Sequence, residues 1–169
     1  MLFMLLVVGA GAVGQSLPCS EIIKEASHSK RKSREAMTLL AGHGLTAEAS
    51  FFNAGRRHTL KMSITFRDSL GYPEEAGDLL RINFENGSFQ EIVSSEKKTY
   101  QGTVVFTLFE SKRRRRVMTY EDRLFYEKLR QTNVTALQLM AGNISRKISL
   151  STEQADYIKK VVDCVVESN

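Results

Sequence analysis

The chain has 169 residues, 42% of them apolar, and carries 24 Lys and Arg against 19 Asp and Glu, a formal charge of +5. That length suits one compact domain, or one domain with an appendage, and the apolar fraction is enough for an ordinary core. Two cysteines are too few for a disulfide scaffold or a four-ligand zinc site, and the basic excess favours acidic partners such as glycosaminoglycans, mineral surfaces or nucleic acid without choosing among them.

Met1 to Val8 is a nearly unbroken apolar run that passes into small residues, Gly9 to Gly14. This has the shape of a signal peptide's hydrophobic region and cleavage zone, which predicts residues 1–14 as a leader and the mature chain as secreted and extracellular. No Lys or Arg precedes the run, so the α-amino group alone supplies its positive charge. No other stretch approaches the roughly 18 apolar residues a membrane span needs, so no membrane partner is expected for the mature form. Gly9-x-Gly11-x-x-Gly14 also matches a dinucleotide-binding fingerprint, which keeps a nucleotide-binding oxidoreductase as a third reading. Against it, the window about 20 residues on, Ser29 to Glu35, is polar rather than a second strand. Pro18 would also fall within the first helix, at a cost of about 3 kcal/mol.

Ser20 is placed to cap a helix from Glu21 to about Leu40, with Ile22, Ile23, Ala26, Met37 and Leu40 as its apolar positions. Strands follow. Leu60 to Phe66 alternates without a break, the period of a sheet with one wet face, and Ala47 to Phe52 is expected to pair with it as a hairpin. Gly71 to Gly77 reads as a loop. Leu80 to Phe84 alternates again, and Asn86-Gly87 signals a tight turn into a return strand, Phe89 to Val93. Within Tyr100 to Phe109 the Val104-Val105-Phe106 run predicts a central strand buried on both faces. Lys112-Arg113-Arg114-Arg115-Arg116 closes this unit. Thr119-x-x-Asp122 is a capping box opening a helix to about Gln131, with Leu124, Phe125 and Leu129 on its buried side. A loop is expected next, and Ser151-x-x-Gln154 opens a last helix whose stripe is Ala155, Ile158, Val161, Val162 and Val165. That stripe must either fold back on the sheet or pair with another chain, which makes a homo-oligomer one expected state.

Three glycosylation sequons are present, at Asn86, Asn133 and Asn143. Cys19 and Cys164 lie near opposite ends of the chain. Paired, they would close a long loop worth roughly 4 to 5 kcal/mol in the chain-entropy model; unpaired, Cys164 would be a buried thiol of the last helix. The basic run has three readings: a proprotein-convertase site cut after Arg116, a contact for sulfated polymers or phosphates, and a solvated linker. His28, His43 and His58 are not at metal-ligand spacing, and no Gly-x-Ser-x-Gly elbow or Walker loop occurs. The expectation is therefore a non-enzyme with no catalytic residues, no metal and no cofactor.

The order helix, hairpin with a Gly-containing turn, then further antiparallel strands resembles the cystatins. In those proteins the first hairpin carries a Gln-x-Val-x-Gly wedge that enters a protease cleft. The matching stretch here is Phe51-Phe52-Asn53-Ala54-Gly55, where Gly55 fits but Phe51 stands for the glutamine and Asn53 for the valine. From about Thr59 to Val162 the chain looks similar to the family of latexin, the tazarotene-induced gene 1 protein and the ovocalyxin eggshell proteins. The basic linker followed by Tyr120-Glu-Asp-Arg-Leu-Phe-Tyr126-Glu-Lys-Leu129 is the most specific part. Members carry two cystatin-like halves joined by a helix, and this chain matches the first half and the linker helix.

The resemblance implies an α+β, cystatin-like fold: an N-terminal helix packed on a four- to five-stranded antiparallel sheet over residues 20–110, followed over 111–169 by the basic linker and C-terminal helices. It also implies a secreted binding protein with a protein target, including inhibition of a metallocarboxypeptidase or cysteine protease. The alternative is a structural matrix protein that binds polyanions such as glycosaminoglycans, or mineral, through its basic run. A BRICHOS-like secreted domain is the runner-up fold.

Overall fold

The computed structural model describes residues 18–26, 30–33, 35–40, 46–53, 59–66, 79–94, 103–110, 118–141 and 144–167. The expected leader, the Gly9-x-Gly11-x-x-Gly14 stretch and all three histidines lie outside them. The described residues mix α and β structure. In chain order they are α1 (Cys19–Ile22), β1 (Ile23–Ala26), β2 (Lys30–Ser33), β3 (Met37–Leu40), β4 (Thr46–Asn53), β5 (Leu60–Phe66), β6 (Leu79–Phe84), β7 (Phe89–Val93), β8 (Thr103–Phe109), α2 (Tyr120–Gln131), β9 (Val134–Ala141), β10 (Ile144–Ser149) and α3 (Thr152–Glu167). Every strand pairing among them is antiparallel.

The expected N-terminal helix is replaced by a single helical turn and three short strands. Glu21 N–H bonds to the Pro18 carbonyl at 2.9 Å to close that turn, so Pro18 rather than Ser20 stands at the cap. The sequence from Ser27 to Arg34 holds no apolar position at helical spacing to bury, and the backbone of Lys30 to Ser33 is satisfied by sheet pairing instead, tertiary context overriding local propensity. β2 and β3 share one edge of β4, β2 opposite Phe52 and Asn53, β3 opposite Thr46 to Ala49. Between them the ladder is interrupted, and the Phe51 N–H donates to the Ser33 hydroxyl at 3.1 Å. Ser33 is itself buried, so this bond satisfies two buried polar groups at once.

The first sheet runs β1-β2-β4-β5-β8, with β3 also on β4. The β4–β5 hairpin forms as expected, and its register stacks Met37, Ala49, Ile64 and Val104 in one inward row and Phe51, Met62 and Phe106 in the next. All seven are buried. β8 differs from expectation. It ends the sheet path rather than lying at its centre, and it alternates, Val104, Phe106 and Leu108 buried while Thr103, Val105 and Thr107 are half-buried.

The second sheet runs β10-β9-β6-β7. The Asn86-Gly87 turn is formed, with Gly87 at φ 77°, a conformation that needs the absence of a Cβ. Where a loop was expected after α2, β9 and β10 form a hairpin whose inward Leu137 and Leu139 meet Ile82 and Leu80 of β6. Alternation over Leu137-Gln138-Leu139-Met140 buries one face against β6, which a loop would leave wet. Because β6 pairs with β9, residues on both sides of position 110 build one sheet. They also share one core, which joins Ile64, Phe106, Leu139, Leu129 and Val161 among others. Among the described residues the two sheets are joined by an isolated bridge, Ser94 to Phe106.

Both C-terminal helices start where their capping boxes predict. The Thr119 hydroxyl accepts from Asp122 N–H at 3.1 Å and donates to the Asp122 carboxylate at 2.8 Å. At α3 the bonds are reciprocal: Gln154 N–H to the Ser151 hydroxyl at 3.2 Å, and Ser151 N–H to the Gln154 side-chain oxygen at 2.7 Å. α2 buries Phe125 and Leu129, whereas Leu124, expected with them, is 49% exposed. Phe125 and Leu129 are four apart and share one face, and Leu124 is turned about 100° away from it. On α3 the stripe Ala155, Ile158, Val161 and Val162 is buried within its own chain.

Candidate functional site

The expected site residues fall in four places, and the fold treats each differently. In the β4–β5 hairpin, Phe51 was expected as part of a partner-binding wedge. It is instead 1% exposed, because the two-residue period of β4 turns Phe51 inward with Ala47 and Ala49. Its ring meets Tyr157 of α3 edge-on, with centroids 6.5 Å apart. Phe52 is half-buried and faces the other way, Asn53 ends the strand, and Ala54 and Gly55 lie outside the described residues. A wedge built on this hairpin therefore cannot present Phe51. The run Lys112 to Arg116 lies outside the described residues altogether.

Cys19 and Cys164 form a disulfide, with Cα atoms 5.3 Å apart across 145 residues of sequence. The bridge fastens α1 to the inner part of α3, and two further bonds hold α3 to the segment around β3. Tyr157 donates its hydroxyl proton to the Glu35 carbonyl at 2.9 Å, and Gln154 Nε2 donates to the Thr38 carbonyl at 2.5 Å. Half-burial holds the Tyr157 phenol above its ordinary pKa, because the charged phenolate would lose hydration. The last helix, whose apolar stripe required a partner, is thereby seated on the N-terminal strands.

Two of the three sequons come together at one end of the second sheet. Asn86 sits exposed in the β6–β7 turn. Its side-chain oxygen accepts from the Ser88 N–H at 3.1 Å and from the Ser88 hydroxyl at 2.5 Å, an Asx turn that fixes the loop by a local bond. Next to it, Glu85 reaches across to the start of β9. One carboxylate oxygen accepts from Asn133 N–H at 3.2 Å, the other from Asn133 Nδ2 at 2.8 Å, and Glu85 N–H returns a bond to the Asn133 carbonyl at 3.0 Å. The backbone and side-chain bonds from Asn133 hold the Glu85 carboxyl below its ordinary pKa, and Lys159 adds to this. Thr135 extends the contact by donating to the Asn83 carbonyl at 3.3 Å. Under this end, Lys128 Nζ lies 4.4 Å from the centre of the Phe84 ring, which packs edge-on against Phe125. Asn143 lies outside the described residues.

The rest of the sheet's outer face is mixed. Across it runs the row Lys147, Gln138, Arg81 and Glu91, in which Arg81 bonds Glu91 at 2.6 Å and covers the exposed Phe89 ring at 4.5 Å. Val93 on β7, and Tyr120 and Leu124 on α2, are the other large apolar side chains in solvent among the described residues. Among the described residues no group of three or more His, Cys, Asp or Glu converges in a way that could hold a metal ion, and no helix is long and apolar enough to cross a membrane.

Sequence reasoning missed Glu85 and its link to Asn133. Glu85 sits in unremarkable local sequence 48 residues before the Asn133 sequon, and only the pairing of β6 with β9 brings them together. No protein-family model, no curated protein and no solved structure matches this chain.

Proposed function

We propose that this chain is a secreted, non-enzymatic binding protein of the latexin and cystatin-like kind, which meets a protein target, a protease foremost, through its surface. The observation that carries the secreted reading is the disulfide between Cys19 and Cys164, because such bridges persist in oxidising, extracellular compartments and are rare in the cytosol. The apolar leader-like run and the exposed Asn86 sequon agree with it. The inhibitory part rests on the resemblance and on the β4–β5 hairpin. The burial of Phe51 narrows that hairpin's contribution to Phe52 and the residues that follow it.

The test is in two steps. Expression with its own N-terminus in a eukaryotic secretory host should place the protein in the medium, starting near Gln15 and without a free thiol before reduction. Recovery inside the cell with two free thiols would overturn the secreted reading. Purified protein at micromolar concentration is then incubated with cysteine proteases and metallocarboxypeptidases, and an absence of inhibition in both classes removes the inhibitor reading. A second reading, binding of polyanions, is favoured by the exposed pair Arg146 and Lys147 on β10 and by the formal charge of +5. Heparin affinity that is unchanged when Arg113 to Arg116 are replaced by Ser would remove the basic run from it.

A further inference from the structure

All three sequons satisfy the same Asn-x-Ser/Thr pattern, but the fold distinguishes two of them at the atoms that glycan transfer uses. In that reaction the asparagine Nδ2 forms a bond to the anomeric carbon of a lipid-linked glycosyl diphosphate. The anomeric C–O bond breaks, the lipid diphosphate leaves with the electron pair, and one Nδ2 proton passes to a base on the transferase. The acceptor must therefore offer its Nδ2 and, two residues on, a hydroxyl.

At the β6–β7 turn the amide is on offer, and the Ser88 hydroxyl bonds only to the acceptor asparagine itself. Asn86 is exposed, and its bonds to Ser88 use its oxygen and leave Nδ2 with no acceptor among the described residues. Gly87 stands in open space, with nothing within 4 Å of where a Cβ would be, so the tip has room on its outer side. At the start of β9 neither group is free. Asn133 Nδ2 donates to Glu85 and Thr135 Oγ1 to the Asn83 carbonyl. Resting on the secretory reading above, we propose that Asn86 is a glycan-bearing asparagine of this protein and that Asn133 is unmodified in the folded, secreted protein.

The block acts after transfer, by sorting which chains fold. Glycans are added to chains still entering the secretory pathway, when local structure exists and long-range structure does not. The β6–β7 hairpin is local, and a sugar at its tip is carried into the fold unobstructed. The Asn133 to Glu85 bonds span 48 residues. A chain that acquired a sugar on Asn133 would reach that stage with the sugar competing with the Glu85 carboxylate for the same nitrogen, and its second sheet would close poorly.

The experiment drives the chain into the secretory pathway behind a heterologous leader, so that entry does not depend on its own residues 1–14. Peptide N-glycosidase digestion in heavy-oxygen water marks each glycosylated asparagine as labelled aspartate, read by mass spectrometry on secreted and cell-associated protein alike. The expected result is label at Asn86, lost in Ser88→Ala, and an Asn133 unlabelled in the secreted protein, with Thr135→Ala leaving the secreted pattern unchanged. Glu85→Ala, which frees the Asn133 amide, should bring label to Asn133. An unlabelled Asn86, or label at Asn133 in the secreted parent protein, overturns the proposal. A parallel expression with the native N-terminus tests the secretory reading alone: retention in the cytosol there, with label at Asn86 under the heterologous leader, sinks that reading and leaves the assignment of Asn86 standing.

Discussion

Replacing Cys19 with Ser and Cys164 with Ala removes the one covalent link between the N-terminal strands and the last helix, and the fold supplies the size of the effect. The bridge spans 145 residues. In the chain-entropy model a loop of that length restricts the unfolded chain by about 5 kcal/mol, above the roughly 2 to 4 kcal/mol typically found. A loss of about 3 to 5 kcal/mol is a large share of the 5 to 15 kcal/mol that keeps a domain folded. Cys19 is exposed, so Ser is tolerated there, and Cys164 is 4% exposed, so Ala avoids burying an unpaired hydroxyl. The assay is urea unfolding of the parent and the double variant, with the parent measured with and without reductant, supported by calorimetry. The expected outcome is a fall in Tm on the order of 10 °C or more. The urea m-value should also rise, because the released unfolded chain expands and exposes more surface. Equal midpoints for oxidised parent and double variant would refute the reasoning, since they would mean that the bridge leaves the unfolded ensemble unrestricted or strains the fold by as much as it constrains the chain.

The other predictions concern the sheet, the helices and the covalent path. Glu85→Gln should lower stability at neutral pH. The Glu85 carboxyl is held below its ordinary pKa by Asn133, so its contribution is present above the unfolded pKa and disappears as pH falls through the folded one; parent and variant curves should converge in acid, and a gap that persists there would remove the charge from the explanation. Leu139→Ala, at a position with 0% exposure, should cost about 2 to 5 kcal/mol in urea unfolding. Leu124→Ala, 49% exposed, should change stability by less than about 0.5 kcal/mol, and a reversal of this order would contradict the α2 orientation. A protease site engineered into Lys112 to Arg116 and then cut should yield two fragments that run as one species in gel filtration. Under denaturing conditions they should separate only after reduction, because the disulfide and the β6–β9 ladder both cross the cut.

Some of this architecture is legible in local sequence. The seven alternating residues from Leu60, the Asn86-Gly87 turn and the boxes at Thr119 and Ser151 each depend on neighbours a few positions away. Their bonds are made where the signal lies. The α3 stripe likewise announced that it needed cover, because five apolar side chains at helical spacing have one energetically acceptable orientation. What covers it was undetermined, since the choice between the N-terminal strands and a second chain depends on residues 116 to 145 positions away.

Tertiary structure decided the rest. Residues 21–40 have a helix-like arrangement of apolar positions, yet β4 offers an unpaired edge, and pairing with it satisfies more buried backbone than a half-exposed helix would. Leu124 and Leu129 are the same residue type on one helix, and only the position of the core separates them. Phe51 looks like a loop-tip residue until its strand parity is fixed by Met62 across the ladder. The sequon at Asn133 reads as well as the one at Asn86, but β9 lies against β6 and gives its amide to Glu85. Local chemistry determined which elements this chain can form and where several of them begin, because caps, turns and side-chain period act within one or two turns of backbone. Which faces were buried, which cysteine met which, and which asparagine remained open were settled only by the sheets closing over a common core.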